Sequence, residues 1–172
     1  YESNEVIVNS NYMKNELQRL FGLPFEKINV VPNGVNLLTY SGIERDYEFR
    51  RKYAMDNEKI ILFVGRLVYE KRIQHLIAAM PKILSRYNDA KLVIAGKGGM
   101  IDELKQEAEN LGLGEKVYFA GYISGKDVPK LYKAADIAVF PSTYEPFGIV
   151  ALEAMLSERP VVVSDIGGLN IS

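Results

Sequence analysis

The chain has 172 residues, 48% hydrophobic and 25% charged, with 21 Lys plus Arg against 22 Asp plus Glu for a net charge of -1. Near-neutral charge argues against a general nucleic-acid or membrane-surface binder, both of which rely on a basic patch. No apolar run approaches the ~20 residues that a membrane span needs. The absence of cysteine rules out disulfides, thiolate metal sites and cysteine nucleophiles. No signal-peptide pattern opens the chain, and the absence of cysteine fits an expected cytoplasmic location.

Short β-branched apolar runs alternate with segments of helical period along the whole chain. Val6-Ile7-Val8 is the first strand-like run; it follows Tyr1 so closely that the chain reads as a piece of something longer. Ser10 is a candidate cap for a helix through Leu17, Leu20 and Phe21, ended by Gly22 and Pro24. Ile28 to Val31 is the second run. The stretch Leu37 to Asn57 is polar and irregular, with a short helix near Asp46 to Tyr53. Ile60 to Val64 is the third run, and Ile73, Leu76, Ile77, Met80 and Leu84 mark a helix that Pro81 is expected to bend. Leu92 to Ala95 precedes a helix marked by Ile101, Leu104, Ala108 and Leu111 and stopped at Gly112. Val117 to Phe119 precedes a helix through Val128, Leu131, Tyr132 and Ala135. Ile137 to Phe140 leads to a helix from Phe147 to Leu156. Val161 to Val163 is read as a last buried strand, running into a Gly167-Gly168 turn where a further helix should follow. Runs that are apolar at consecutive positions mark strands buried on both faces. Strand-helix alternation then implies an α/β fold with a doubly wound parallel sheet, here a single domain over residues 1–172 cut at both ends.

In such sheets ligands bind at the carboxyl ends of the strands, so the residues after each strand carry the functional reading. After the third run comes Gly65-Arg66-Leu67-Val68-Tyr69-Glu70-Lys71-Arg72 and then a helix. Glycine allows close approach of a ligand, and the two cations Arg66 and Lys71 beside a helix start suit a phosphate. The alternative is a solvated basic loop in which Glu70 pairs one cation. After the sixth run comes Pro141-Ser142-Thr143-Tyr144-Glu145-Pro146-Phe147. Pro146 suits a helix's first turn, which puts Glu145 at the rim of the sheet. Glu153 is the only charge between Phe147 and Leu156, on a helix apolar enough to be buried. It is either structural, paired with a cation or capping buried backbone, or an acceptor for ligand hydroxyls such as a ribose supplies.

Other positions carry less. Gly96-Lys97-Gly98-Gly99 follows a strand but lacks the third glycine of a dinucleotide fingerprint. His75, the only histidine, reads as a surface residue, and there is no Asp-x-Asp pair to hold a metal on a diphosphate. Tyr122 follows the fifth run at Gly121.

The run Glu145-Pro146-Phe147-Gly148-Ile149-Val150-Ala151-Leu152-Glu153-Ala154-Met155 resembles the two-glutamate signature of the retaining nucleotide-sugar glycosyltransferases, a family that includes glycogen synthases, sucrose-phosphate synthases and mannosyltransferases. Gly65-Arg66-Leu67 with Glu70-Lys71 resembles that family's phosphate loop. Val31-Pro32-Asn33-Gly34-Val35, Ile94-Ala95-Gly96, Phe119-Ala120-Gly121 and Asp165-Ile166-Gly167-Gly168 fall in its order, so the resemblance covers essentially the whole chain. It implies the GT-B architecture, two Rossmann-like domains across a cleft, with this chain as the donor-binding half. The acceptor-binding N-terminal domain is expected to be absent, and any peripheral membrane contact would come through it.

The implied reaction moves a hexosyl group from a nucleotide-diphosphate sugar to a hydroxyl acceptor with retention, without metal or other cofactor. Residue by residue, Gly65, Arg66 and Lys71 would meet the diphosphate. Glu145 with the amides of Phe147, Gly148, Ile149 and Val150 would hold the sugar and a phosphate, Glu153 the ribose, and Tyr122 and Ile123 the base. Arg66, Lys71 and Glu145 form the implied catalytic set, and Arg66, Lys71, Glu145 and Glu153 are expected to face one cleft. Two departures stand out: Arg72 replaces the family's usual glycine, and Asn36 a common aspartate. A nucleotide-sugar 2-epimerase of the same architecture and a non-catalytic nucleotide-binding module are the alternatives. The isolated chain is expected to be inactive as a transferase.

Overall fold

The computed structural model describes residues 3–169. Five parallel strands form the main sheet in the order β5-β4-β3-β6-β7: β3 (Lys59–Val64), β4 (Ala90–Ala95), β5 (Val117–Gly121), β6 (Ile137–Phe140) and β7 (Val161–Val163). Between them run α4 (Ile73–Leu84), α5 (Ile101–Asn110), α6 (Val128–Ala134) and α7 (Ile149–Leu156). The fold is the doubly wound α/β, Rossmann-like arrangement that the alternation implied. Ile60, Leu62, Leu92, Ile94 and Ala138 are fully buried in the sheet, and the Phe63 and Phe140 rings pack tilted at 55°, 6.2 Å apart, across β3 and β6.

Only five of the seven apolar runs enter that sheet. The first two, β1 (Val6–Val8) and β2 (Ile28–Val30), pair in parallel with each other as a separate two-stranded sheet. Periodicity shows that a run is apolar, but strand partners are chosen in three dimensions; here Ile7 stays 70% exposed. Between β1 and β2 lies α1 (Asn11–Phe21), capped by Ser10 and closed by Gly22 in the left-handed conformation, as the sequence indicated.

Three further readings need correction. The last run is an edge strand, not a buried one: β7 has a single neighbour, and Val162 and Val163 are exposed. Helix α7 begins at Ile149, because Gly148 at φ 89° breaks the helical path and leaves Pro146 in the preceding loop. The helix is also only partly covered, with Ala151 and Ala154 buried and Met155 exposed. Finally, the irregular stretch holds two one-turn helices, α2 (Leu37–Tyr40) and α3 (Tyr47–Arg50), capped by Asn36 and Asp46. Pro81 lies inside α4, which continues to Leu84.

Candidate functional site

The chain leaves β3 toward β4 and β5 on one side and later places β6 and β7 on the other. The crevice where such an order reverses is where open α/β sheets take ligands. The loop after β3 and the loop after β6 meet there around a cavity of about 330 Å³, lined among others by Gly65, Arg66, Lys71, Ser142, Glu145, Ile149 and Val150. A second cavity of about 410 Å³ adjoins it through the shared Val64, Gly65 and Arg66, and is lined by Lys97, Tyr122, Ile123 and Val128 among others.

The centre of the first cavity is an ion pair. Lys71 Nζ lies 2.5 Å from Glu145 Oε2, and the two side chains are 16% and 11% exposed. Glu145 Oε1 accepts the Gly148 N–H at 3.2 Å, so both carboxylate oxygens are held. Arg66 is different: its side chain is 75% exposed and stands 3.7 Å from Glu70. The basic-loop alternative is therefore partly right, since Glu70 pairs Arg66 while Lys71 turns inward to Glu145. The two loops are tied by the Thr143 N–H donating to the Glu70 carbonyl at 2.8 Å and by Arg72 Nε donating to Thr143 Oγ1 at 3.2 Å. The first N–H groups of α7 have no intrahelical acceptor and make that end of the crevice receptive to an anion.

Glycines set how closely the walls approach. A Cβ at Gly96 would stand 1.8 Å from the Gly65 carbonyl oxygen, and one at Gly98 2.1 Å from that of Leu67. On the other side, Gly168 leaves no room beside the Pro146 carbonyl and donates its N–H to the Glu145 carbonyl at 2.8 Å.

Gly65, Arg66, Lys71, Glu145, Ile149 and Val150 are thus brought together, and Tyr122 and Ile123 line the adjoining cavity with Lys97 5.2 Å over the Tyr122 ring. Phe147 and Gly148 line a separate apolar cavity against β7. Glu153 lines none of these three cavities. One turn into α7, its carboxylate accepts a hydrogen bond from the Tyr132 hydroxyl of α6 at 3.2 Å, and among the described residues it has no cation partner. Burial, then the Glu153 charge and hydrogen bond, push the Tyr132 hydroxyl well above its usual value; Tyr40 is raised by burial and the same carboxylate. His75 is exposed on α4. Among the described residues no group of three or more His, Asp or Glu is placed to hold a metal ion, and no helix is long and apolar enough to cross a membrane.

Ser142 was not singled out in the sequence. It lines the first cavity, and its hydroxyl is buried without a partner among the described residues. Only its place directly after Pro141 at the end of β6 could have drawn attention to it.

Comparison with known proteins agrees with this geometry. Residues 45–170 match the family described as Glycosyl transferases group 1, and residues 1–37 match Glycosyltransferase Family 4. An uncharacterized glycosyltransferase of Methanocaldococcus jannaschii is 51% identical over 173 aligned residues, covering 98% of this chain and 44% of the relative. A glycogen synthase of Mycobacterium tuberculosis is 36% identical over 98% of this chain and 39% of its own length. This chain therefore spans less than half of either relative. Among solved structures, HepE of Anabaena in complex with UDP and glucose has a TM-score of 0.85 at 26% identity, covering 97% of this chain and 46% of that one. Sucrose-phosphate synthase from Thermosynechococcus elongatus has a TM-score of 0.80 at 32% identity, over 98% and 42%. With the family match over residues 45–170, these likenesses, and a charged crevice at the reversal of strand order, the chain belongs to the glycosyl transferases group 1 and has the fold of the C-terminal domain of a GT-B glycosyltransferase.

Proposed function

We propose that this chain is the donor-binding domain of a retaining hexosyltransferase, which takes a nucleotide-diphosphate sugar in the crevice and transfers the sugar to a hydroxyl acceptor without a metal ion. The observation that carries the reading is the Lys71–Glu145 pair in the first cavity, beside the second that adjoins it through Val64, Gly65 and Arg66. Lys71, with Arg66 and the start of α7, neutralises the diphosphate, the part of the reaction where negative charge grows as the bond to the sugar breaks. Glu145, at the same point, accepts hydrogen bonds from hydroxyls of the transferred sugar. The nucleoside occupies the second cavity, with its base near Tyr122 and Ile123.

Both Glu145 oxygens are engaged, by Lys71 and by the Gly148 N–H, which suits positioning rather than nucleophilic attack. The proposed step is therefore front-face: the anomeric carbon–oxygen bond to the diphosphate breaks, and the acceptor oxygen bonds the same face. The acceptor proton passes to the departing phosphate oxygen. Positioning the two reactants supplies much of the rate, so the donor half by itself is proposed to be inactive. The epimerase alternative finds no support in the family match or in the relatives' names.

Titration calorimetry with UDP, GDP and ADP and their sugars, in the presence of a chelator, tests the proposal. Lys71→Ala is expected to weaken nucleoside diphosphate binding by about 1–3 kcal/mol, the scale of a charged hydrogen bond. Glu145→Gln is expected to spare the nucleoside diphosphate and weaken the intact sugar donor. Binding that requires magnesium, or that ignores loss of both Arg66 and Lys71, would count against the reading.

A further inference from the structure

The loop carrying Glu145 has no helix or strand of its own to fix it between Ser142 and Gly148. It is gripped instead from two sides. Gly168 donates to the Glu145 carbonyl at 2.8 Å. From the opposite end of the chain, the Ser10 hydroxyl donates to the Pro146 carbonyl at 2.5 Å across 136 residues. The same region is packed by Tyr12, whose ring stands edge-on to Tyr144 at 6.0 Å, and by Met13, whose sulfur accepts from the Tyr144 hydroxyl at 3.5 Å.

Ser10 does two things at once. Its oxygen caps α1 by accepting the Met13 N–H at 3.2 Å, and its hydrogen goes to Pro146. A helix cap needs only an acceptor, and aspartate serves as well as serine. A carbonyl needs a donor, which aspartate lacks. The contact also crosses between the segment matching one family, residues 1–37, and the segment matching the other, residues 45–170.

We infer that Ser10 is a positioning residue for Glu145: through the Pro146 carbonyl, helix α1 of the N-terminal segment sets where the sugar-facing carboxylate stands. A shift of α1 relative to the main sheet is then passed directly to the donor loop. The inference rests on the reading of Glu145 as the group that meets the transferred sugar.

The test uses the intact protein with Ser10→Ala, Ser10→Asp and Ser10→Thr, which remove cap and strut, the strut only, and neither. Amide hydrogen exchange over residues 144–148 is expected to speed up about three- to tenfold in Ser10→Ala and Ser10→Asp, the range of one lost hydrogen bond, and to be unchanged in Ser10→Thr. Calorimetry with UDP and UDP-glucose is expected to show UDP affinity held in all three, and UDP-glucose affinity reduced by a similar factor in the first two alone. If Ser10→Asp behaves as wild type in exchange while Ser10→Ala does not, the hydroxyl is only a cap and the inference is overturned. Unchanged exchange in every variant overturns it as well. Should Glu145→Gln leave the UDP-glucose to UDP affinity ratio unmoved, the site reading fails instead, and the exchange data alone decide whether Ser10 holds the loop.

Discussion

Arg72 sits at φ 53° and ψ 34°, the left-handed region, immediately before α4. That conformation suits the glycine that the family resemblance leads one to expect there, since a side chain in it is strained by roughly 1–2 kcal/mol. Arg72 offsets part of the strain by stacking on the Tyr69 ring at 3.9 Å and by bonding Thr143. It does not line either cavity of the crevice, so it braces the loop rather than adding a third cation. In denaturant melts, Arg72→Gly is expected to be more stable than Arg72→Ala by about 1 kcal/mol, because alanine keeps the strain and loses the contacts. An alanine variant as stable as the glycine one would show that the backbone is not strained. At Glu153 the hydrogen bond to Tyr132, in place of an ion pair, changes the expectation for stability. Glutamine still offers an oxygen to the Tyr132 hydroxyl, so Glu153→Gln should alter unfolding by less than about 1 kcal/mol. If the carboxylate also meets the ribose, as the family resemblance implies, nucleotide affinity falls by about 1–3 kcal/mol. Calorimetry and melts on one variant separate the two effects.

At the scale of elements, the irregular stretch before β3 is a polar strap across the end of the sheet opposite the crevice. Arg50 of α3 is 2% exposed. It donates to the carbonyls of Ala134, Met55 and Glu58 and to Asp136. Arg45 donates to the carbonyls of Lys133 and Ala135 and also to Asp136. Asp136 in turn accepts the Ile60 N–H at 2.9 Å, where β3 begins. Burial pushes the Asp136 carboxyl up, but the Ile60 N–H, Arg45 and Arg50 outweigh it and hold the group below its usual range. A carboxylate lowered on folding adds stability above its unfolded pKa, and that stability is lost as pH falls through the lowered folded value. Asp136→Asn should therefore cost about 2–4 kcal/mol at neutral pH, leaving Arg50 buried beside a neutral group. It should also flatten the loss of stability below about pH 4, near the ordinary aspartate value. Melts from pH 3 to pH 7 check both, and an unchanged acid limb would remove Asp136 from the account.

For the whole molecule, the crevice depends on how closely the turns after β3 and β4 can approach. The space beside Gly98 is filled by the Leu67 backbone, whereas Gly99 faces open space. Gly98→Ala is expected to destabilise by about 1–3 kcal/mol or more, since backbone has no rotamer to yield. Gly99→Ala should change stability by about 0.5 kcal/mol or less. Equal effects of the two would show that the turns are free to separate.

The sequence by itself determined the α/β alternation, the parallel core runs from Ile60 onward, the Ser10 and Gly22 caps and the loops bearing Lys71 and Glu145. Each of these is a local signal: periodicity, a capping residue, a glycine, or chemistry placed next to a strand end. Only the tertiary structure decided that β1 and β2 pair apart from the main sheet, that β7 is an edge, and that the Glu153 carboxylate accepts from the Tyr132 hydroxyl. It also decided that Arg45 and Arg50, polar residues in an apparently irregular stretch, close the far end of the sheet. Those outcomes depend on which distant backbone and side-chain groups meet, and a buried arginine donating to carbonyls carries the same one-dimensional signature as a solvated one.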